Sequence, residues 1–526
     1  MKTSKRILSV ILAAAAALSV SACNNESAGQ GNQPGGDGSG SGGTTTSGTF
    51  AEAYVPEIDE NAETGTIKYL TYETTFETSN SKLLTLFKQR YGGDISVEAS
   101  ATSLNYAEML GTRIASGDSP DMVRYEGWAF PHGASFNMFT PLDSYIDLDS
   151  ELWSGMKSVA DQYIYNGKHF YIPYMNDVNF AIVYNNRVLE ENGMPDPIEY
   201  VKNGTWDWYK FEEMLKRWQD IDPVNHISYN GVGALSFTYT TGKKIIDVKN
   251  SEILNNMKDP DVERCVLWLE SLRKQYLVGA SPEQSAAGAP NGFVHPGEAF
   301  LDGNLLFLGM GAVWSYESAK ESLDKANQPN EIKFIPFPKD PQADAWYQLT
   351  GNFGYLVPAG AQNVKGAIDW INLLRIEETD PENIATAKEK ACADVPAYRI
   401  KCAECGYYFT VEEDEALVDT CPECGTPRNT KYKVVWTEEQ WDMYQEMMTD
   451  GDKYVLVYDY VYGFGTAFKE MFNDHLLDQT VYTDISYTSE SDSLYLSVES
   501  YLQPYRDRLA ADARGEEVTT TPPAET

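Results

Sequence analysis

Hydrophobic and polar positions change period several times along the chain, and the changes mark out its elements. Ile67 to Tyr72 reads as a strand. Leu83, Leu84, Phe87 and Tyr91 then fall at helical spacing, and Gly92 with Gly93 supplies a stop. Ile95 and Val97 alternate as a second strand. Tyr106, Met109, Leu110 and Ile114 form another helical stripe ending at Gly117, and Met122 to Tyr125 is a third short strand. A β-α-β-α-β order predicts a parallel sheet covered by helices. Ligands of such sheets sit beyond the carboxyl ends of the strands. Those ends are Glu73 with Thr74, and Glu126 to Trp128.

The middle of the chain has a different rhythm. Phe170 to Tyr174 is an extended aromatic run broken at Pro173, which cannot donate to a sheet ladder. A polar patch follows at Asn176, Asp177 and Asn179, then a second extended apolar run from Phe180 to Tyr184. A short helix with Val188 and Leu189 inward stops at Gly193. Two strand-like segments joined by a Pro and a polar patch predict a chain passing between two lobes across a crevice. Thr205 or Asp207 can cap a helix whose inner face is Phe211, Leu215 and Trp218, which makes Trp206 and Trp208 packing residues. A buried strand from Leu305 to Met310 follows Gly303, with Trp314 beyond it. Leu349 to Pro358 reads as one strand returning to the first lobe, and Ala367, Ile368, Trp370, Ile371 and Leu374 as the helix packed there. Beyond Lys431 the pattern is mostly helical and belongs to the second lobe, apart from the aromatic-rich Val455 to Phe464, which is placed to approach the crevice.

These stretches resemble family 1 of the extracellular solute-binding proteins, the sugar-capturing components of ABC importers. The crossover carries the family's order: Gly167, an aromatic run to Pro173, polar residues, Tyr184-Asn185, and a helix ending at Gly193 before Pro195. Ile114 to Val123 resembles its helix end, Gly turn and Pro-Asp before a strand, and Pro141 to Ile146 its next helix. Gly204 to Leu215, Glu298 to Ser315, Ile335 to Pro338 and Leu349 to Pro358 follow in the family's order, so the likeness covers most of residues 65–375. It implies an α/β, two-lobed periplasmic-binding-protein-like fold with hinge strands, closing on a sugar or oligosaccharide. It also implies delivery to ABC permease subunits by a monomer that is not an enzyme. Positions carried over from the family give a candidate ligand site: Glu73, Trp128, Asn176, Asp177, Trp314 and Asn352. The two Trp would stack on sugar rings, and the carboxylates and amides would bond hydroxyls.

The start of the chain reads as an export signal. Lys2, Lys5 and Arg6 precede an apolar run from Ile7 to Leu18, too short for a permanent membrane span. Val20 to Cys23 resembles a bacterial lipobox, which implies lipid modification of Cys23 and anchoring on the outer face of the cell membrane. An ordinary signal peptide with an incidental Cys is the plainer alternative. Residues 24–49 are almost without apolar side chains and suit a flexible tether of roughly 30 Å. The expected layout is a signal peptide (1–22), a linker (23–64), a first lobe (65–175 and 346–385), a second lobe (176–345 and 431–512), an insert (386–430) and a disordered tail (513–526).

Composition sharpens the functional reading. A net charge of −37 argues against nucleic acid, whose phosphates demand a basic face, and against docking on anionic lipid through protein charge. Thirty-four Tyr and eleven Trp suit neutral polar ligands, because aromatic faces cover the apolar faces of pyranose rings. No phosphate-binding loop, zinc-protease helix or nucleophile elbow is present, and the five His show no metal or triad spacing. A surface-anchored glycosidase is the rival from another class, since acidic residues abound, but no carboxylate pair stands out. A polysaccharide-binding adhesin is a third reading.

One motif departs from the family. Cys402 with Cys405 and Cys421 with Cys424 are two C-x-x-C pairs, each followed by Gly, with 15 residues between them. The spacing fits a zinc-ribbon-like site of four thiolates on one structural Zn. Iron in the same cage and two disulfides are the alternatives, the latter because the chain is exported. A hairpin of Tyr407 to Thr410 with Ala416 to Asp419 is expected between the pairs. Cys265 and Cys392 read as buried thiols.

Overall fold

The computed structural model describes residues 64–516, apart from 74–75, 100–105, 232, 250–251, 280–298, 301, 312–331, 393–397, 402–407, 412–419, 422–423, 426–431, 434–436, 452, 466–467, 469–470, 479–480 and 482–484. The first lobe begins with β1 (Gly65–Thr71), α1 (Ser81–Tyr91), β2 (Gly93–Ala99), α2 (Tyr106–Ser116) and β3 (Met122–Arg124). Strands β2 and β3 both pair with β1 in parallel, the β-α-β-α-β sheet that the alternating periods predict. Helix α1 ends where expected because Gly92 adopts φ 61° and donates its N–H to the Lys88 carbonyl. Phe87 and Tyr91 turn inward from it, and Tyr106 and Leu110 from α2.

The second lobe follows as β4 (Met175–Asp177), β5 (Phe180–Asn185), α3 (Asn186–Glu191), α4 (Trp208–Ile221), β6 (Ile227–Gly231), α5 (Ala234–Tyr239), β7 (Ile246–Lys249), β8 (Glu252–Asn255), α6 (Pro260–Lys274), β9 (Leu305–Gly311) and β10 (Ile332–Ile335). Its central sheet has the order β10-β5-β9-β6, with β9 parallel to β6 and antiparallel to β5. Asp207 caps α4 by accepting from the Lys210 N–H, and Phe211, Leu215 and Trp218 are buried along it. Trp206 and Trp208 are core residues, as their place at the helix start predicts. Gly231 sits at φ 105° opposite Gly309 of β9, where a Cβ would run into the Gly309 carbonyl, so this end of β6 requires glycine.

The chain then returns through β11 (Tyr347–Leu349), β12 (Gly351–Phe353) and β13 (Tyr355–Leu356) to α7 (Val364–Thr379) and α8 (Pro381–Cys392). The single strand expected over Leu349 to Pro358 is therefore three short ones with three different partners. Strand β13 pairs antiparallel with β3 and completes the first sheet in the order β13-β3-β1-β2. Strand β12 pairs antiparallel with β4, and β11 lies parallel to β17 (Val455–Val457). Between them come β14 (Tyr398–Lys401), β15 (Tyr408–Val411), β16 (Tyr432–Lys433) and α9 (Glu438–Met448). The last element is α10 (Tyr487–Arg514).

One expectation needs correction. Phe170 to Tyr174 is not a strand: Phe170, Tyr171 and Ile172 are buried as irregular chain, and the polar patch after Pro173 forms β4 instead. In the insert the described strands form a three-stranded sheet. Strand β15 pairs with β14, and β16 lies on the other side of β14, so the strands flank residues 402–407. Residues 416–419, the other half of the expected hairpin, lie outside the described residues.

Candidate functional site

Two strand pairs and the residues beside them join the lobes. In the antiparallel pair β4–β12, Asn176 faces Asn352 and Asp177 faces Gly351. Directly paired side chains share a face and neighbours along a strand alternate, so Asn176 and Asn352 lie together and Asp177 points the other way. The three residues expected to share one ligand surface thus divide between the two sides of the hinge.

The asparagine face is aromatic. The Asn352 Oδ1 accepts from the Tyr171 hydroxyl at 2.8 Å, and its Nδ2 donates to the Tyr163 hydroxyl at 2.8 Å. Asn176 accepts from the Tyr458 hydroxyl at 2.6 Å and donates to the Met448 carbonyl at 2.8 Å. Around them Tyr125 stacks on Tyr171 with centroids 3.9 Å apart, and Tyr163 stands edge-on to both. Phe130, Tyr458 and Tyr460 close the group against Tyr163. Tyr125 immediately follows β3, at the carboxyl end of a parallel sheet, where ligands of this architecture gather. Tyr458 and Tyr460 come from the segment after β17, the aromatic run that the sequence places near the crevice. Tyr163 carried no sequence signal, because it lies in a short 3-10 turn without a periodic pattern.

Lys244 reaches this group from the second lobe. Its Nζ donates to the Gln162 Oε1 at 2.8 Å and to the Tyr460 hydroxyl at 2.7 Å, and sits 4.0 Å from the Tyr460 ring centroid. Burial pushes the ammonium down to about 7, against the opposing pull of Asp247 and Asp459. Asp459 accepts from the Tyr239 hydroxyl at 2.5 Å, and burial holds its carboxyl above the usual range.

Glu73 belongs to a second cluster, at the ends of β1 and β3. Its carboxylate pairs with Arg124 and accepts from the Tyr69 hydroxyl at 3.3 Å. Arg124 also lies 3.7 Å from Glu126, which accepts from the Tyr72 hydroxyl at 2.6 Å. The guanidinium rests 5.6 Å from the Phe353 ring centroid, next in chain to Asn352. One cation between two carboxylates leaves a surplus negative charge. Trp128, beside this cluster in sequence, is half-buried and packs edge-on to Tyr106 and tilted on Phe139, both at 6.1 Å.

On the far face of the hinge, Asp177 accepts from the Tyr444 hydroxyl at 3.4 Å, and desolvation pushes its carboxyl up to about 6. Glu378 nearby is raised by burial, partly countered by Arg375. Arg375 donates to the Tyr174 and Leu152 carbonyls, and its own burial lowers it to about 10. Trp314 and Cys23 lie outside the described residues, as do Cys402 and Cys405. Cys421 is buried and Cys424 exposed, and the Gly425 N–H donates to the Cys421 carbonyl at 2.8 Å with φ 73°. Among the described residues no group of three His, Cys, Asp or Glu is arranged to hold a metal ion.

A family model of bacterial extracellular solute-binding proteins matches residues 82–389, more than half of the chain. The chain belongs to that family. This solute-binding protein is therefore an exported protein, and among its described residues no helix is long and apolar enough to cross a membrane. Solved structures with a similar fold include the sugar-binding protein MalE of Xanthomonas citri, at 14% identity and TM-score 0.53, covering 85% of this chain and 98% of that one. A family 1 extracellular solute-binding protein of Bifidobacterium longum subsp. infantis matches at 13% identity and TM-score 0.53, covering 83% and 99%. UgpB of Mycobacterium tuberculosis in complex with glycerophosphocholine matches at 15% identity and TM-score 0.51, covering 84% and 99%. At such identities the likeness concerns the two-lobed fold. No curated protein matches the sequence.

Proposed function

We propose that this solute-binding protein captures a neutral sugar or oligosaccharide between its lobes and passes it to the permease of an ABC importer. The carrying observation is the hinge group in which Tyr125, Tyr163, Tyr171, Tyr458 and Tyr460 surround Asn352. Stacked rings suit the apolar faces of pyranoses, and hydroxyls and amides match their rims. The carboxylates of Glu73, Glu126 and Asp459 accept from ligand hydroxyls more readily than they tolerate a phosphate. Trp314, expected to stack on a ring, belongs to the same reading. A thermal-shift screen against mono- and oligosaccharides, followed by calorimetry, tests it. The reading predicts saturable, reversible binding of an unmodified sugar, weakened tenfold or more in Trp314→Ala and Tyr125→Ala. Binding confined to anionic or apolar solutes refutes it.

The protein is held at the outer face of the membrane by a diacylglyceryl group on Cys23 in this reading, with residues 24–49 as tether. Mass spectrometry of the mature N-terminus tests that directly.

A second reading concerns the insert. Cys402, Cys405, Cys421 and Cys424 bind one structural zinc. The spacing supports this, as do the flanking three-stranded sheet and the tight turn from Cys421 to Gly425. Elemental analysis of the purified protein is the test. One zinc per chain is expected, and metal-free protein without free thiols at these positions would establish disulfides instead.

A further inference from the structure

Helix α10 is attached to both lobes, by different halves. Its N-terminal half is fixed to the second lobe. The Tyr487 N–H donates to Glu270 of α6 at 2.8 Å and its hydroxyl to the Met257 carbonyl at 2.6 Å. Thr488 donates to Glu263 at 2.7 Å, Lys258 pairs with Asp492 at 2.6 Å, and Asn255 of β8 donates to Glu499 at 3.0 Å. These anchors recur along the first half of the helix.

Near Pro504 the helix changes partner. Proline removes one intrahelical hydrogen bond, so this is where the rod bends most easily. Arg506 still reaches back to the Ile253 carbonyl of β8 at 2.9 Å. Its neighbours turn to the first lobe. The Tyr505 hydroxyl lies 2.9 Å from His132 Nδ1, and the Arg508 guanidinium 4.4 Å from the Phe136 ring centroid. The Tyr165 hydroxyl reaches Asp512 at 3.5 Å. His132 and Phe136 belong to the first lobe, in and just after the short helix that follows β3 in the chain.

We propose that α10 is an interlobe strap, carried by the second lobe, whose C-terminal half fastens onto Phe136 and His132 of the first lobe and must let go for the cleft to open. The proposal rests on the lobes opening and closing, as the proposed function requires, but not on which solute they hold. The fastening is narrow. Tyr505, Arg508 and Asp512 supply its three polar or cation–π contacts, each of which can be cut by one substitution without touching the anchors at Tyr487, Asp492 or Glu499.

The test uses the full-length protein, dialysed free of solute. Small-angle scattering is compared for the wild type, Arg508→Ala and Tyr505→Phe, with hydrogen exchange followed by mass spectrometry on the same samples. The second variant keeps the ring and loses one hydroxyl, which covers the case in which Arg508→Ala fails to fold. The expected result is a larger radius of gyration in the variants. Faster exchange is expected in peptides covering 130–136 and 503–514, with wild-type protection over 487–499. An unchanged radius of gyration overturns the strap, whatever the local exchange does. A larger radius with protection lost over 487–499 as well also overturns it, because the helix has then left both lobes. Failure to find any sugar ligand would strike the proposed function and leave this comparison intact.

Discussion

At the scale of single residues, the hinge asparagines hold aromatic hydroxyls in place. Removing the Asn352 amide would deprive the Tyr163 and Tyr171 hydroxyls of one hydrogen bond each, at a cost on the order of 2 kcal/mol. Asn352→Leu is therefore expected to lower stability by that amount in urea denaturation. An unchanged midpoint would mean that the amide is idle in the unliganded protein. Two titratable groups give opposed pH dependences over one window. Asp177 is raised to about 6, so the folded protein binds its proton more tightly than the unfolded chain. Its ionisation lowers stability as pH rises from about 4 to 6, by up to about 3 kcal/mol. Burial, with Arg508 adding to it, lowers His132 to about 4. The unfolded chain therefore takes up that proton first, and stability is lost as pH falls from about 6.5 to 4, again by up to about 3 kcal/mol. The two contributions oppose each other across this range, with Glu378 and Asp459, also raised by burial, adding to the Asp177 side. Asp177→Asn should be more stable than wild type at pH 7 and equal to it near pH 4, while His132→Gln should lose stability relative to the wild-type profile as pH rises from about 4 to 6, its Asp177 contribution being unopposed. Parallel curves for all three proteins would show that neither group is buried as described.

At the scale of elements, what the sequence announces depends on where the hydrogen bonds are made. Helices α1, α2, α4 and α7 satisfy their own backbone, so apolar spacing and a cap such as Asp207 or Asn363 are enough to place them. The hinge strands are different. Strand β4 is three residues long and β12 three, and each exists only because the other crosses beside it. No local pattern encodes that pairing, which is why Phe170 to Tyr174 looked more like a strand than Met175 to Asp177. Glu73, Asn176, Asp177 and Asn352 were named as candidates through positions carried over from a family pattern. Tyr163 and Lys244 were not, since they reach the site from a short turn and from the start of a hairpin. The insert is an element of another kind. Residues 401–429 are too short to own a hydrophobic core, and on the proposed zinc reading the metal staples β14, β15 and β16 together. Four thiolates on zinc supply a binding free energy on the order of 10 kcal/mol. Replacing Cys402 and Cys405 by Ser should release the metal and loosen exchange in residues 398–433 only. Ligand affinity within a factor of two of wild type is expected, and a larger loss would place the insert at the cleft.

At the scale of the whole molecule, charge and site must be read together. The net charge of −37 surrounds a hinge whose own carboxylates, Glu73, Glu126 and Asp459, outnumber the cations Arg124 and Lys244. An anionic ligand would have to enter against that field, and its affinity would climb steeply with added salt as the repulsion is screened. A cationic ligand would be drawn in, and salt would weaken it. A neutral polyol feels neither effect, because its recognition rests on ring stacking and short hydrogen bonds. Calorimetry of the identified ligand from low to 0.5 M salt should therefore give a dissociation constant that moves by less than about twofold. The same titration, stopped and analysed for products, should return the ligand whole. Members of the family bind solutes, and Glu73, Glu126 and Asp459 hold Arg124 and the hydroxyls of Tyr69, Tyr72 and Tyr239 as a binding surface would. Newly formed reducing ends would make the protein a glycosidase. A steep salt dependence with the ligand intact would keep the binding role and change the class of solute.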